Sequence, residues 1–165
     1  MKRTDGSFPV WEIIPGQLYQ RGKMFPRFSP ELKLQGLAHY GITHAVALAP
    51  PKPDPDLEAW GNADIIGYTH FPIPDGLLHT QPQLLELASD LADEITAGGC
   101  VLTMCNAGRN RSGLLSALIV RELLGLSGIE AVEHVQLHRP RALANPGFVE
   151  FLLQLPATEK KIYGK

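Results

Sequence analysis

A chain of 165 residues with 44% hydrophobic side chains and a formal net charge of −2 has the size and balance of one globular domain. Its 15 Lys and Arg against 17 Asp and Glu give no overall basic field, which speaks against a nucleic-acid partner and leaves any polyanion to a local positive patch. No apolar run approaches a membrane span, and Met1-Lys-Arg-Thr-Asp-Gly-Ser7 lacks the apolar stretch that follows a secretory n-region, so no integral membrane segment and a cytoplasmic location are expected.

Trp11 to Ile14 and Leu18 to Gln20 flank Pro15-Gly16 and predict two short strands joined by a turn. Pro30 to Tyr40 fits a helix. Thr43 to Ala49 is an apolar strand, stopped by Pro50-Pro-Lys-Pro-Asp-Pro55, whose prolines predict a loop with Asp54, Asp56 and nearby Asp64 as solvated turn residues. Ile65 to Phe71 is the next strand. From Gln83 to Ala97, Leu84, Leu87, Ala88, Leu91 and Ile95 recur at helical spacing, and Pro82 suits the first turn. Cys100 to Met104, after Gly98-Gly99, reads as a buried strand. The residues from Leu114 to Leu124 leave almost no polar face, as expected of a central helix that starts near Ser112. Helices near Gly128 to His138 and Pro146 to Leu155 complete the pattern. Strands alternating with helices predict an α/β domain, with helices packed on a central, mostly parallel sheet and the ligand at the carboxyl edge of the strands. Lys160 to Lys165 reads as a frayed tail.

Two cysteines occur. A strand between Cys100 and Cys105 would hold them about 17 Å apart, beyond disulfide reach, and Cys100 reads as a small core hydrophobe. Cys105 is different, because Arg111 follows it by six positions with Gly108 between, where a backbone can curl without a Cβ in the way. A loop curled in this way points its amides inward. With the adjoining helix N-terminus it makes an anion site that also stabilises a thiolate. Strand, tight loop and buried helix therefore predict a phosphate-binding loop built from Asn106, Ala107, Gly108, Arg109, Asn110 and Arg111, with Cys105 as nucleophile. The bland alternative is a structural cysteine with an unrelated surface arginine.

Cys105-x5-Arg111-Ser112 with Gly108 resembles the signature of the cysteine-dependent protein tyrosine phosphatases, and within them the dual-specificity branch. Ile14-Pro-Gly-Gln-Leu-Tyr19 is similar to that branch's opening and Gly41-Ile-Thr-His-Ala-Val-Ala-Leu48 to its next strand. Arg139-Pro140 and Asn145-Pro-Gly-Phe148 resemble its closing segment. The resemblance spans Trp11 to Leu155. It implies one phosphatase-like catalytic domain over residues 1–165, with a core of about 11–155 and a tail from 156.

Arg111 suits two equatorial phosphate oxygens with its planar fork. Ser112 is either a hydroxyl donor to the sulfur, helping the thiolate leave, or simply a helix N-cap. A departing oxygen needs a proton, and the resemblance implies its donor in a Pro-Asp loop upstream. Asp75, in Pro72-Ile-Pro-Asp-Gly76 and 30 residues before Cys105, fills that place. The alternative is an ordinary turn-forming Asp before Gly. Asn106 and Asn110 are expected to shape the loop through local hydrogen bonds. The resemblance alone gives Arg139 and Asn145 a bracing role behind it.

Two positions qualify the assignment. Met104 stands where the family usually carries a His that orders the loop, and Met donates no hydrogen bond, so reduced or shifted activity is expected. Arg109 adds a second cation, which relatives acting on phospholipids often carry there; a solvated, outward side chain is the plainer reading. His44, His70, His79 and His138 lack ligand spacing, so neither metal nor other cofactor is expected.

The resemblance, with this chemistry, implies a phosphomonoester hydrolase with a cysteinyl-phosphate intermediate, acting on phosphotyrosine in proteins and leaving phosphoserine and phosphothreonine open. A phosphoinositide or other phospholipid headgroup phosphatase and, prompted by Met104, a phosphate-binding pseudophosphatase are the alternatives. A monomer is expected.

Overall fold

The computed structural model describes residues 8–24, 27–49, 52–74 and 81–160. In chain order the elements are β1 (Trp11–Ile14), β2 (Leu18–Gly22), α1 (Pro30–Tyr40), β3 (His44–Ala47), α2 (Pro55–Asn62), β4 (Gly67–His70), α3 (Gln81–Thr96), β5 (Val101–Cys105), α4 (Arg111–Leu124), α5 (Gly128–His138) and α6 (Pro146–Leu153). The five strands form one sheet in the order β1-β2-β5-β3-β4. β1 pairs antiparallel with β2, and the other pairings are parallel. The sheet is therefore mixed but mostly parallel, with β5 at its centre, as the alternating pattern predicts.

Residues alternate across the sheet, so neighbouring side chains on β5 enter different cores. Val101 and Cys105 join the core under α3, α4, α5 and α6. Leu102 and Met104 join a second core with Phe8, Leu37 and Leu57 on the opposite face. α4 packs into the first over most of its length. Leu114, Leu115, Leu118, Ile119, Val120 and Leu123 have no exposed surface, each contributing about 1.5–3 kcal/mol of burial. This is why the sequence shows no polar stripe there.

The termini of the helices follow from local chemistry. The Ser29 hydroxyl accepts from the Leu32 amide at 3.2 Å, Pro30 starts α1, and Gly41 ends it in the left-handed region. Ser127 and Glu130 form a reciprocal capping box on α5. Asn145 caps α6 through the amides of Gly147 and Phe148. Beyond α6 the chain turns back onto α4, where Arg121 Nε donates to the Pro156 carbonyl (2.8 Å) and Thr158 Oγ1 to the Arg121 carbonyl (2.6 Å).

One expectation needs correction. The proline-rich stretch gives way to α2, because Pro55 sits in its first turn, where a missing amide is harmless. Asp54 is its N-cap rather than a solvated turn residue, accepting from the amides of Asp56 (3.0 Å) and Leu57 (3.2 Å). It is buried, and Lys33 from α1, itself 1% exposed, lies 2.9 Å from its carboxylate and 2.8 Å from that of Asp56. Asp56 is thus an ion-pair partner too. Asp64 is the exposed turn residue expected, in the left-handed region at φ 57°. Several boundaries move as well. β2 runs on to Gly22, β5 runs to Cys105, and the strands expected over 43–49 and 65–71 shorten to four residues each.

Candidate active site

β5 ends at Cys105, the chain curls through 106–110, and α4 starts at Arg111 with Asn110 as its N-cap. Two backbones must touch for this to happen. Gly108 has φ +67°, and a Cβ there would lie 2.4 Å from the Arg21 carbonyl carbon; one on Gly22 would lie 2.9 Å from the Asn106 carbonyl oxygen. The loop therefore rests directly on the end of β2, whose Gly22 is in register with Cys105.

Cys105 is 3% exposed, and its Sγ lies 3.3 Å from Ser112 Oγ. Burial pushes the thiol up, but the Ser112 hydroxyl and the amides of Ser112, Arg109 and Gly108 all donate to it, and the net result is a thiol held below its ordinary value. Ser112 thus occupies the first turn of α4 as a sulfur partner, not as the cap. Met104 takes no part, being packed in the opposite core, so these donors stabilise the thiolate without a histidine at that position. By contrast, burial and then Glu12 push the Cys100 thiol up to about 11, as suits a core residue.

Arg111 is buried, at 6% exposure. Its Nη1 donates to the Ile73 carbonyl at 3.2 Å, while its buried Nε has no hydrogen-bond partner among the described residues. Ile73 belongs to the segment leaving β4, fastened to the residue just after β3 by its amide on the Leu48 carbonyl (3.1 Å). Asp75, two positions further along, lies outside the described residues, as do Gly76 and His79.

The loop is held from behind by residues distant in sequence. Arg139 Nε donates to the Gly108 carbonyl (3.1 Å) and its Nη2 to the Ala107 carbonyl (3.5 Å), with the guanidinium 4.5 Å from the centre of the Trp11 ring. Asn110 Oδ1 accepts from the amides of Ala144 (2.8 Å) and Asn145 (3.0 Å). Asn110 therefore ties the loop to the α5–α6 connection rather than shaping it locally, and in that connection Arg141 and Leu143 lie in the left-handed region at φ 69° and 58°. Arg109 Nε donates to the Arg141 carbonyl at 3.3 Å, so its side chain is anchored rather than free. Asn106 and Ala107 are exposed at the mouth. His44, remote from the loop, bridges α3 and β4 through Glu94 and Thr69, both at 2.8 Å.

One contributor escapes sequence reasoning. Gln20, fully buried on β2, donates from Nε2 to the Gly108 carbonyl at 3.0 Å across 88 positions of sequence. A polar residue in a predicted strand is the only signal it leaves.

No protein-family model matches the chain. It is 32% identical over 113 residues to human (Homo sapiens) dual specificity phosphatase 28, a match over 68% of this chain and 61% of that protein, so it spans about three fifths of that relative. It is also 32% identical over 137 residues to dual specificity protein phosphatase 1B of Arabidopsis thaliana, covering 81% of this chain and 72% of that one. The chain belongs to the dual specificity phosphatases. A solved structure of human dual specificity phosphatase 28 superposes with a TM-score of 0.66 at 25% identity, over 87% of this chain and 90% of that one. Within the dual specificity phosphatases, then, this chain brings Cys105, Ser112, Arg111 and the loop amides together at the carboxyl edge of β5, where the α/β pattern predicts a ligand.

Proposed function

We propose that this dual specificity phosphatase hydrolyses phosphotyrosine, and also phosphoserine and phosphothreonine, in proteins through a cysteinyl-phosphate intermediate. The observation that carries the reading is the Cys105 thiol, buried yet held below its ordinary value by a ring of donors, beside Arg111 with an unpartnered buried Nε. A sulfur in that setting ionises more readily than a free thiol, which suits it to attack, and the Arg111 donor suits a phosphate oxygen.

In the first step the Cys105 thiolate attacks phosphorus, the bond from phosphorus to the ester oxygen breaks, and Asp75 gives its proton to the departing oxygen. The loop amides and Arg111 bear the charge spread over the transferring group. In the second step the Asp75 carboxylate takes a proton from water, the water oxygen attacks phosphorus, and the sulfur–phosphorus bond breaks. Ser112 donates to the sulfur as it leaves with the electron pair, and inorganic phosphate is released. The hydroxyl at 3.3 Å from Sγ supports that role.

A phospholipid headgroup is the second reading. Arg109 stands in the loop beside Arg111, near enough to Arg139 that its charge, after burial, lowers that group, and a second cation there suits a ligand carrying more than one phosphate. Turnover of a chromogenic phosphate ester by wild type, Cys105→Ser and Asp75→Asn, with chelator present, tests the mechanism; full rate in Cys105→Ser would remove it. A panel of phosphopeptides and phosphoinositides with Arg109→Ala separates the substrates, because selective loss of lipid turnover favours the second reading.

A further inference from the structure

We propose that Gln20 is a positioning residue for the Cys105 nucleophile, its side-chain amide fixing the Gly108 carbonyl so that the next amide in the chain faces the sulfur. The inference rests on the reading of Cys105 as the nucleophile. Its basis is the geometry of a single peptide group. A trans peptide is planar and carries its C=O and the following N–H on opposite sides. The Gly108 carbonyl is drawn toward the β2 side by Gln20 Nε2 at 3.0 Å, with Arg139 Nε at 3.1 Å as a second donor. The N–H across that same peptide is that of Arg109, which donates to Cys105 Sγ. Arg139 treats the preceding peptide in the same way. Its Nη2 on the Ala107 carbonyl, at 3.5 Å, leaves the Gly108 N–H to face the sulfur. Gln20 and Arg139 thus approach the loop from different elements and converge on one carbonyl.

A purely architectural role fits Gln20 poorly. The residue is fully buried, and its Oε1 has no hydrogen-bond partner among the described residues. A leucine or methionine would fill similar space on β2 and leave no orphaned oxygen, so packing alone favours an apolar residue there. Arg139 Nε shares the Gly108 carbonyl at 3.1 Å, and Gln20 at 3.0 Å is the donor that reaches it from β2. Met104, on the strand between, faces the other core and has no donor to offer.

The test is the pH dependence of alkylation at Cys105 by iodoacetamide, followed by mass spectrometry so that Cys100 is counted separately, in wild type, Gln20→Met and Gln20→Leu. Arg109, Arg111 and Arg139, the charged groups around the loop, are unchanged in all three. Both variants should move the midpoint upward by about half a pH unit, a fraction of one hydrogen bond to a charged group because Arg139 still holds the same carbonyl, while Tm stays the same or rises. A merely structural glutamine would lower Tm and leave the midpoint in place. An unchanged midpoint in either folded variant overturns the proposal, as does a wild-type Cys105 that reacts like a free thiol. The measurement needs no phosphate ester. If wild type shows a lowered midpoint that depends on Gln20 but hydrolyses no ester, the proposed function fails and Gln20 stands. If it hydrolyses esters and the variants titrate like wild type, Gln20 alone fails.

Discussion

Arg111 Nη1 donates to the carbonyl of Ile73 at 3.2 Å, joining the first residue of α4 to the segment that leads toward Asp75. The arginine expected to hold phosphate is therefore already oriented by the chain that carries the expected acid. Lysine would keep the charge but lose the planar fork, and a single ammonium cannot serve the Ile73 carbonyl and two phosphate oxygens in the same geometry. We expect Arg111→Lys to reduce kcat/KM for a chromogenic phosphate ester by about 100-fold or more. Near-normal turnover would show that charge alone suffices.

Ser112→Ala tests the sulfur's hydroxyl partner. Burial raises the Cys105 thiol and the Ser112 hydroxyl is the largest contribution opposing it, so removing the hydroxyl leaves burial less opposed and moves ionisation to higher pH. The alkylation midpoint should rise by about one pH unit. In rapid-quench kinetics the second step should slow more than the first, giving a burst of released product before steady turnover. A midpoint equal to wild type would assign the lowered thiol to the loop amides alone.

Gly108→Ala should be damaging in both stability and rate. The residue is left-handed, and its Cβ would stand 2.4 Å from backbone of β2, which no side-chain rotation relieves. A loss of about 2–4 kcal/mol in urea unfolding and near-complete loss of ester hydrolysis are expected. Retained activity would mean that the loop can lift away from Arg21 and still hold the thiolate.

The alkaline limb of stability should belong first to Cys100. Its thiol ionises near 9.0 in an unfolded chain and is pushed up to about 11 in the fold, by burial and then Glu12. Below 9.0 both states keep the proton, and Cys100 contributes no pH dependence. Between 9.0 and about 11 only the unfolded chain releases it, so stability falls through that window. Tyr19, raised from 10.0 to about 12 mainly by burial, adds a second loss starting higher. Calorimetry of Cys100→Ala should therefore show Tm holding to higher pH than in wild type. Curves that decline together from 9.0 would place the loss elsewhere.

Much of this protein is legible locally. The bounds of α1 and α5 follow from the sequence because Ser29, Pro30, Gly41 and Ser127 act on amides within one turn. Cys105, Gly108 and Arg111 are readable together because one loop of six steps contains them. α2 is missed since prolines break helices in their interiors but start them at their first turn, and only Asp54's place as the cap decides between the two.

What the sequence determines by itself is the loop from Cys105 to Arg111 and the order of the strands and of the helices other than α2, since spacing and periodicity are local properties. Only the tertiary structure decides which atoms make the distant contacts, even where the resemblance already points to Arg139. Gln20 reaches Gly108 across 88 positions, Arg139 across 31, and Lys33 finds Asp54 across 21. Those contacts depend on strand register and helix packing, which bring distant residues within hydrogen-bond reach once the sheet has formed.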